Sequence, residues 1–151
     1  AALARLTPVL PLFGHGLSDA GTTRFQPVFV GDVADAICRI IDDPAARGET
    51  YELGGPAVLS FRQIMELICA YTGRKRTLVP IPFAVARFEA TFLQMLPGPP
   101  LTRDQVRLLD IDNVVADGAK GLADLGVTPT SVETVVPAYL ARFRRPGARA
   151  A

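Results

Sequence analysis

Gln26-Pro27-Val28-Phe29-Val30-Gly31-Asp32-Val33-Ala34-Asp35-Ala36-Ile37 is the stretch that decides how the chain is read. Residues 28–30 are apolar and predict a short strand. Gly31 supplies a tight turn, and Asp32 is a good N-cap for a helix over 32–43. Asp35 falls in the first turn, where the helix dipole favours negative charge. Val33, Ala36, Ile37, Ile40 and Ile41 recur at helical spacing, and Pro44 stops the run.

Toward the N-terminus, residues 1–13 (AALARLTPVLPLF) begin without a cap. Leu3 and Leu6 suggest the tail of a helix whose start lies upstream. Gly14-His15-Gly16 and Ser18-Asp19-Ala20-Gly21 read as a polar loop before Arg24. The first residue is Ala rather than Met, so the expectation is a fragment or a processed chain.

Toward the C-terminus, residues 49–53 alternate and stop at Gly54-Gly55-Pro56, which predicts a strand. Ser60 and Gln63 form a capping box for the next helix. Its stripe is Phe61, Ile64, Ile68 and Tyr71, and Gly73 suits its end. Residues 77–81 predict a short strand, placed at an edge by Pro80. Pro82 opens a helix running to about Leu96, stopped by Pro97-Gly98-Pro99-Pro100. Thr102 with Gln105 opens a helix over 103–110, and a helix over 118–125 closes at Gly126. Thr130 with Glu133 opens a helix over 131–143, which Pro137 should kink. Alone, then, the chain reads as one mixed α+β domain over 1–151, with short strands and about six helices. Strand 49–53 looks made to pair with strands that lie elsewhere.

Composition narrows the function classes. The net charge of +1 gives no bulk electrostatic case for nucleic acid. No apolar run approaches the roughly 20 residues that span a bilayer. Cys38 and Cys69 lie far apart and outside any Cys-x-x-Cys, and a single His cannot complete a zinc set. Both cysteines read as small buried hydrophobes of a reducing compartment.

The ordered set of segments resembles the C-terminal half of the atypical, extended short-chain dehydrogenase/reductases. The branch it resembles includes the nucleotide-binding accessory subunit of respiratory complex I (NADH:ubiquinone oxidoreductase). The residues that carry this are Gln26-Pro27-Val28-Phe29-Val30 with Asp32-Val33, then Asp43-Pro44 and Gly48-Glu49-Thr50-Tyr51-Glu52-Leu53 with Gly55-Pro56. Pro80-Ile81-Pro82-Phe83, Leu101-Thr102-Arg103-Asp104-Gln105-Val106 and Leu125-Gly126-Val127-Thr128-Pro129-Thr130 follow. Gly31 stands where most sugar-modifying members carry an acidic residue, which favours the complex I-like branch. The Gly14–Thr23 loop is longer and more polar than the family pattern.

The resemblance implies an α/β Rossmann parent that binds NADP(H) or NAD(H), with this chain as a lid and partner surface. The phosphate-cradling glycine turns would lie in an N-terminal Rossmann half absent from this sequence. The reading finds no Gly-x-Gly-x-x-Gly turn and no Tyr-x-x-x-Lys catalytic pair, so no catalytic residue is assigned. It expects no tightly bound cofactor and no metal. The first function implied is a non-catalytic, NAD(P)-associated accessory or assembly component of complex I. The alternative is the substrate domain of an active NAD(P)-dependent sugar-nucleotide epimerase, dehydratase or reductase.

Candidate residues are few. Arg24 and Arg103 could meet a cofactor phosphate in the intact protein, or pair with surface carboxylates. His15 reads as a solvated loop histidine, and Asp110-x-Asp112 lacks the rest of a calcium loop. The helix over 82–96 is apolar almost all round, which points to burial or a partner. Phe88, Phe92 and Met95 are its candidate partner-binding residues. The partners expected are the Rossmann half and complex I subunits, with self-association of the isolated chain and no nucleic acid. The location expected is cytoplasmic, at the cytoplasmic face of the inner membrane, or the matrix side in a mitochondrial relative.

Overall fold

The structure is a computed structural model, and it describes residues 8–93 and 103–143. Its strands are β1 (Val9–Gly14), β2 (Arg24–Phe25), β3 (Leu59–Ser60) and β4 (Thr77–Pro82). Its α-helices are α1 (Val30–Asp42), α2 (Phe61–Thr72), α3 (Phe83–Leu93), α4 (Arg103–Leu108) and α5 (Val132–Leu140). Single 3-10 turns occupy Pro44–Ala46, Ala123–Leu125 and Ala141–Phe143. The class is mixed α/β with small sheets: β1 pairs with β4, and the two-residue strands β2 and β3 pair with each other. The chain divides into two compact units, one of residues 1–24, 60–112 and 140–151, the other of 25–59 and 113–139.

In the first unit β1 and β4 run parallel, in register from Val9 opposite Thr77 to Gly14 opposite Pro82. Residues 9–14 are therefore a strand and not part of a helix. Pro8 and Pro11 explain this, because each pushes the residue before it toward extended backbone. Alternation then buries Leu10 and Leu12 completely. Phe13, Phe83, Ala86 and Val106 form the core, with Phe61, Ile81 and Leu109 half-buried against it. The Phe13 ring stacks on Phe61 and on Phe83, each at 6.3 Å between centroids. The α2 capping box forms as expected: Ser60 Oγ accepts from Gln63 N, and Gln63 Oε1 accepts from Ser60 N. Gly73 closes α2 in the left-handed region at φ 64°.

In the second unit α1 begins earlier than the Asp32 cap predicts. Phe29 holds the N-cap position without a side-chain bond, and 28–30 is not a strand. Asp32 sits inside the first turn, buried, with its carboxylate turned to Thr130. That contact also displaces the expected Thr130–Glu133 box; Ser131 Oγ accepts instead from Thr134 N. The core joins Ala36 to Leu122, Leu125 and Val127, flanked by Val28, Ile40, Tyr51 and Leu53.

Residues 49–53 are irregular rather than a strand. They share one backbone bond with the 113–121 segment, from Glu52 N to Lys120 O at 2.8 Å. The helix expected over 118–125 shrinks to the Ala123–Leu125 turn, closed by Gly126 at φ 66°. Helix α5 keeps Pro137 inside it and ends at Leu140. Helix α4 ends at Leu108, and Pro82 closes β4 rather than opening α3. The end of the helix expected to reach Leu96, the Pro97–Pro100 stop and the Thr102 cap lie outside the described residues.

Candidate functional site

The carboxyl end of β1 in the first unit gathers the charged side chains. In open parallel sheets that end is where ligands bind. Gly14 ends the strand, and a Cβ there would run into the backbone of Ala20 at 2.6 Å. His15 N and Gly16 N then both donate to the Asp19 carboxylate, at 3.1 and 2.6 Å. These amides, with the Gly16 bond foremost, hold the Asp19 carboxyl below its ordinary range. The amides of the Gly14-His15-Gly16 turn are thus taken by the chain's own carboxylate and not left for an external anion.

The His15 ring lies edge-on to Phe83, and its Nε2 comes within 2.9 Å of Asp110 Oδ1. The approach is close but not aligned as a hydrogen bond. Arg87 Nη2 reaches the other Asp110 oxygen at 3.8 Å. His15 therefore does have a carboxylate close beside it, which sequence spacing alone did not reveal. Asp112 is taken by Arg24, whose amide donates to Oδ1 at 2.7 Å and whose Nε donates to Oδ2 at 2.8 Å. With Asp110 and Asp112 each facing a cation, the Asp-x-Asp pair is no calcium loop. Among the described residues no cluster of His, Cys, Asp and Glu could hold a metal.

The candidate residues fall as follows. Arg24 is exposed and carries the Asp112 pair. Arg103 starts α4, and its side chain lies outside what the structure describes. Phe88 is 67% exposed on α3, the Phe92 side chain is outside the description, and Met95 lies outside the described residues. Val85 on α3 and Leu108 and Ile111 around the end of α4 are also exposed. These are exposed apolar side chains, while Phe83 and Ala86 of α3 fill the core. Cys38 is exposed, which corrects the expectation that both cysteines are buried. Cys69 is half-buried, and burial pushes its thiol pKa up.

One motif was overlooked in the sequence. Tyr71-Thr72-Gly73-Arg74-Lys75 does have Tyr-x-x-x-Lys spacing. The catalytic use of that spacing needs both residues on one face of a continuous helix. Here α2 ends at Thr72 and Gly73 reverses the backbone, so Lys75 leaves the face that carries Tyr71.

In the second unit a cleft of about 330 Å³ lies between residues 27–30 and the start and outer face of α5. Val28, Phe29, Val132, Val135 and Val136 make it mostly apolar. A second cavity, of about 410 Å³, is lined by Gln26, Glu52, Gly54 and Asn113 among others. Gln26 bridges that region, donating to Gly55 O at 2.9 Å and accepting from Val115 N at 3.0 Å. Neither cavity brings together a nucleophile and a base.

No protein-family model matches the chain. Individual proteins do. The NADH dehydrogenase [ubiquinone] 1 alpha subcomplex subunit 9, mitochondrial, of Arabidopsis thaliana is 34% identical over 91% of this chain and 36% of its own length. The mouse protein of the same name is 32% identical over 79% of this chain and 32% of its own. The NADH-ubiquinone oxidoreductase 40 kDa subunit of Neurospora crassa is 28% identical over 80% of this chain and 32% of its own. The chain thus spans about a third of the length of the curated relatives it matches. Over most of its own length, it is a homologue of these complex I subunits.

Proposed function

We propose that this chain is the lid and docking region of an NAD(P)-associated accessory or assembly component of complex I, with no turnover of its own. The observation that carries this is the 34% identity to the Arabidopsis subunit across 91% of the chain. NADP(H) or NAD(H) would be held by a Rossmann half of the extended short-chain dehydrogenase type, the first partner of this region. Arg24 and Arg103 would face that nucleotide from the lid side, Arg24 by exchanging Asp112 for a phosphate. Phe88 on α3, together with Phe92 and Met95, would meet a subunit of the complex. The mitochondrial relatives fit a matrix-side location, or its cytoplasmic equivalent at an inner membrane. No helix among the described residues is long and apolar enough to cross a membrane.

Disrupting the gene in source cells tests the proposal. The amount of assembled, rotenone-sensitive NADH dehydrogenase should fall, and a copy carrying Phe88→Asp should restore it poorly. Normal assembly after disruption would overturn the accessory role.

A further inference from the structure

The charge of this chain is close to balanced overall but not locally. Between Glu66 and Glu89 there are four basic residues and no carboxylate. After Glu133 there are four more, again with no carboxylate. The structure brings these two acid-free runs together in the first unit. The Ala141–Phe143 turn lies against α2, and Arg74 Nη2 donates to Phe143 O at 3.4 Å. Arg142 stands over the Phe143 ring at 4.8 Å. Lys75 and Arg142 are exposed, and the sequence continues Arg144-Arg145. Arg74 Nε is buried without a hydrogen-bond partner.

We propose that Arg74, Lys75 and Arg142, with Phe143 beside them, form a docking patch for an anionic phospholipid surface. A headgroup layer presents one sign, and here the receiving patch carries one sign over two separate runs of chain. Clusters of several Lys and Arg are the usual electrostatic reader of anionic lipid. The aromatic ring beside them is the usual interfacial companion.

Sedimentation with vesicles tests this. The probes are phosphatidylcholine alone and phosphatidylcholine mixed with phosphatidylglycerol, at low and high salt. The chain should sediment with the mixed vesicles at low salt only. Lys75→Gln with Arg142→Gln, both at exposed positions, should weaken binding roughly fivefold per charge. Arg39→Gln with Arg47→Gln removes the same net charge from the second unit and should leave binding unchanged. Near-UV circular dichroism shows that each variant is folded. Equal binding to neutral vesicles, no binding to either, or equal losses in the two double variants would each overturn the proposal.

Discussion

Asp32 accepts both donors of Thr130, the amide at 2.6 Å and the hydroxyl at 2.8 Å, across 98 positions of sequence. The pair ties the first turn of α1 to the residue that leads into α5. Asp32 is 5% exposed, so water does little to replace what it provides. Asp32→Ala leaves two donors without an acceptor and should cost about 3 kcal/mol. Asp32→Asn keeps one acceptor and should cost about half as much. Urea denaturation followed by far-UV circular dichroism checks both. Equal stability of all three proteins would show that the pair does not hold the unit together.

The Arg24–Asp112 pair gives an acid limb with a definite sign. The Arg24 amide, and then its guanidinium, hold the Asp112 carboxyl below its ordinary range. A lowered folded-state pKa contributes stability that is complete above the unfolded value of about 4 and is lost as pH falls through the folded value. Asp112→Asn should therefore lower the melting temperature at neutral pH and flatten the loss below about pH 4. Asp19 carries the same sign through Gly16 and His15, so some acid limb should survive in the variant. An unchanged limb in Asp112→Asn would assign the effect elsewhere.

The two thiols should react at very different rates. Cys38 is exposed, whereas burial raises the pKa of Cys69 and keeps its reactive thiolate scarce. Ellman's reagent on the native chain at neutral pH should show one fast thiol, abolished by Cys38→Ser. Two fast thiols would mean that α2 opens readily.

The isolated chain should bind NADPH weakly or not at all. Its one Gly-x-Gly turn after a strand has its amides engaged by Asp19. Calorimetry showing a tight one-to-one site would place the nucleotide on this chain and not on its partner half.

How far the sequence disclosed the fold can be followed residue by residue. Local chemistry was legible where it acts locally: the Ser60–Gln63 box, the Gly73 cap and the β4 strand all formed. Where a distant residue claims a side chain, local reading failed. Asp32 looks like a cap because its neighbours follow a helix pattern, yet Thr130 takes it. Strand 9–14 exists because β4 pairs with it, although Pro8 and Pro11 already disfavoured a helix there. Gly55 is similar: a Cβ there would overlap the Pro27 carbonyl, a close approach that only the folded chain reveals. The His15–Asp110 contact spans far too much sequence for any motif to announce it. The family was legible in ordered short segments, none of which is specific alone.

The most direct test of the account is native gel electrophoresis of gently solubilised membranes from source cells carrying a tagged copy of the gene. The account predicts that the tag co-migrates with in-gel NADH dehydrogenase activity of complex I or an assembly intermediate. A tag found solely in fractions free of complex I subunits would contradict it.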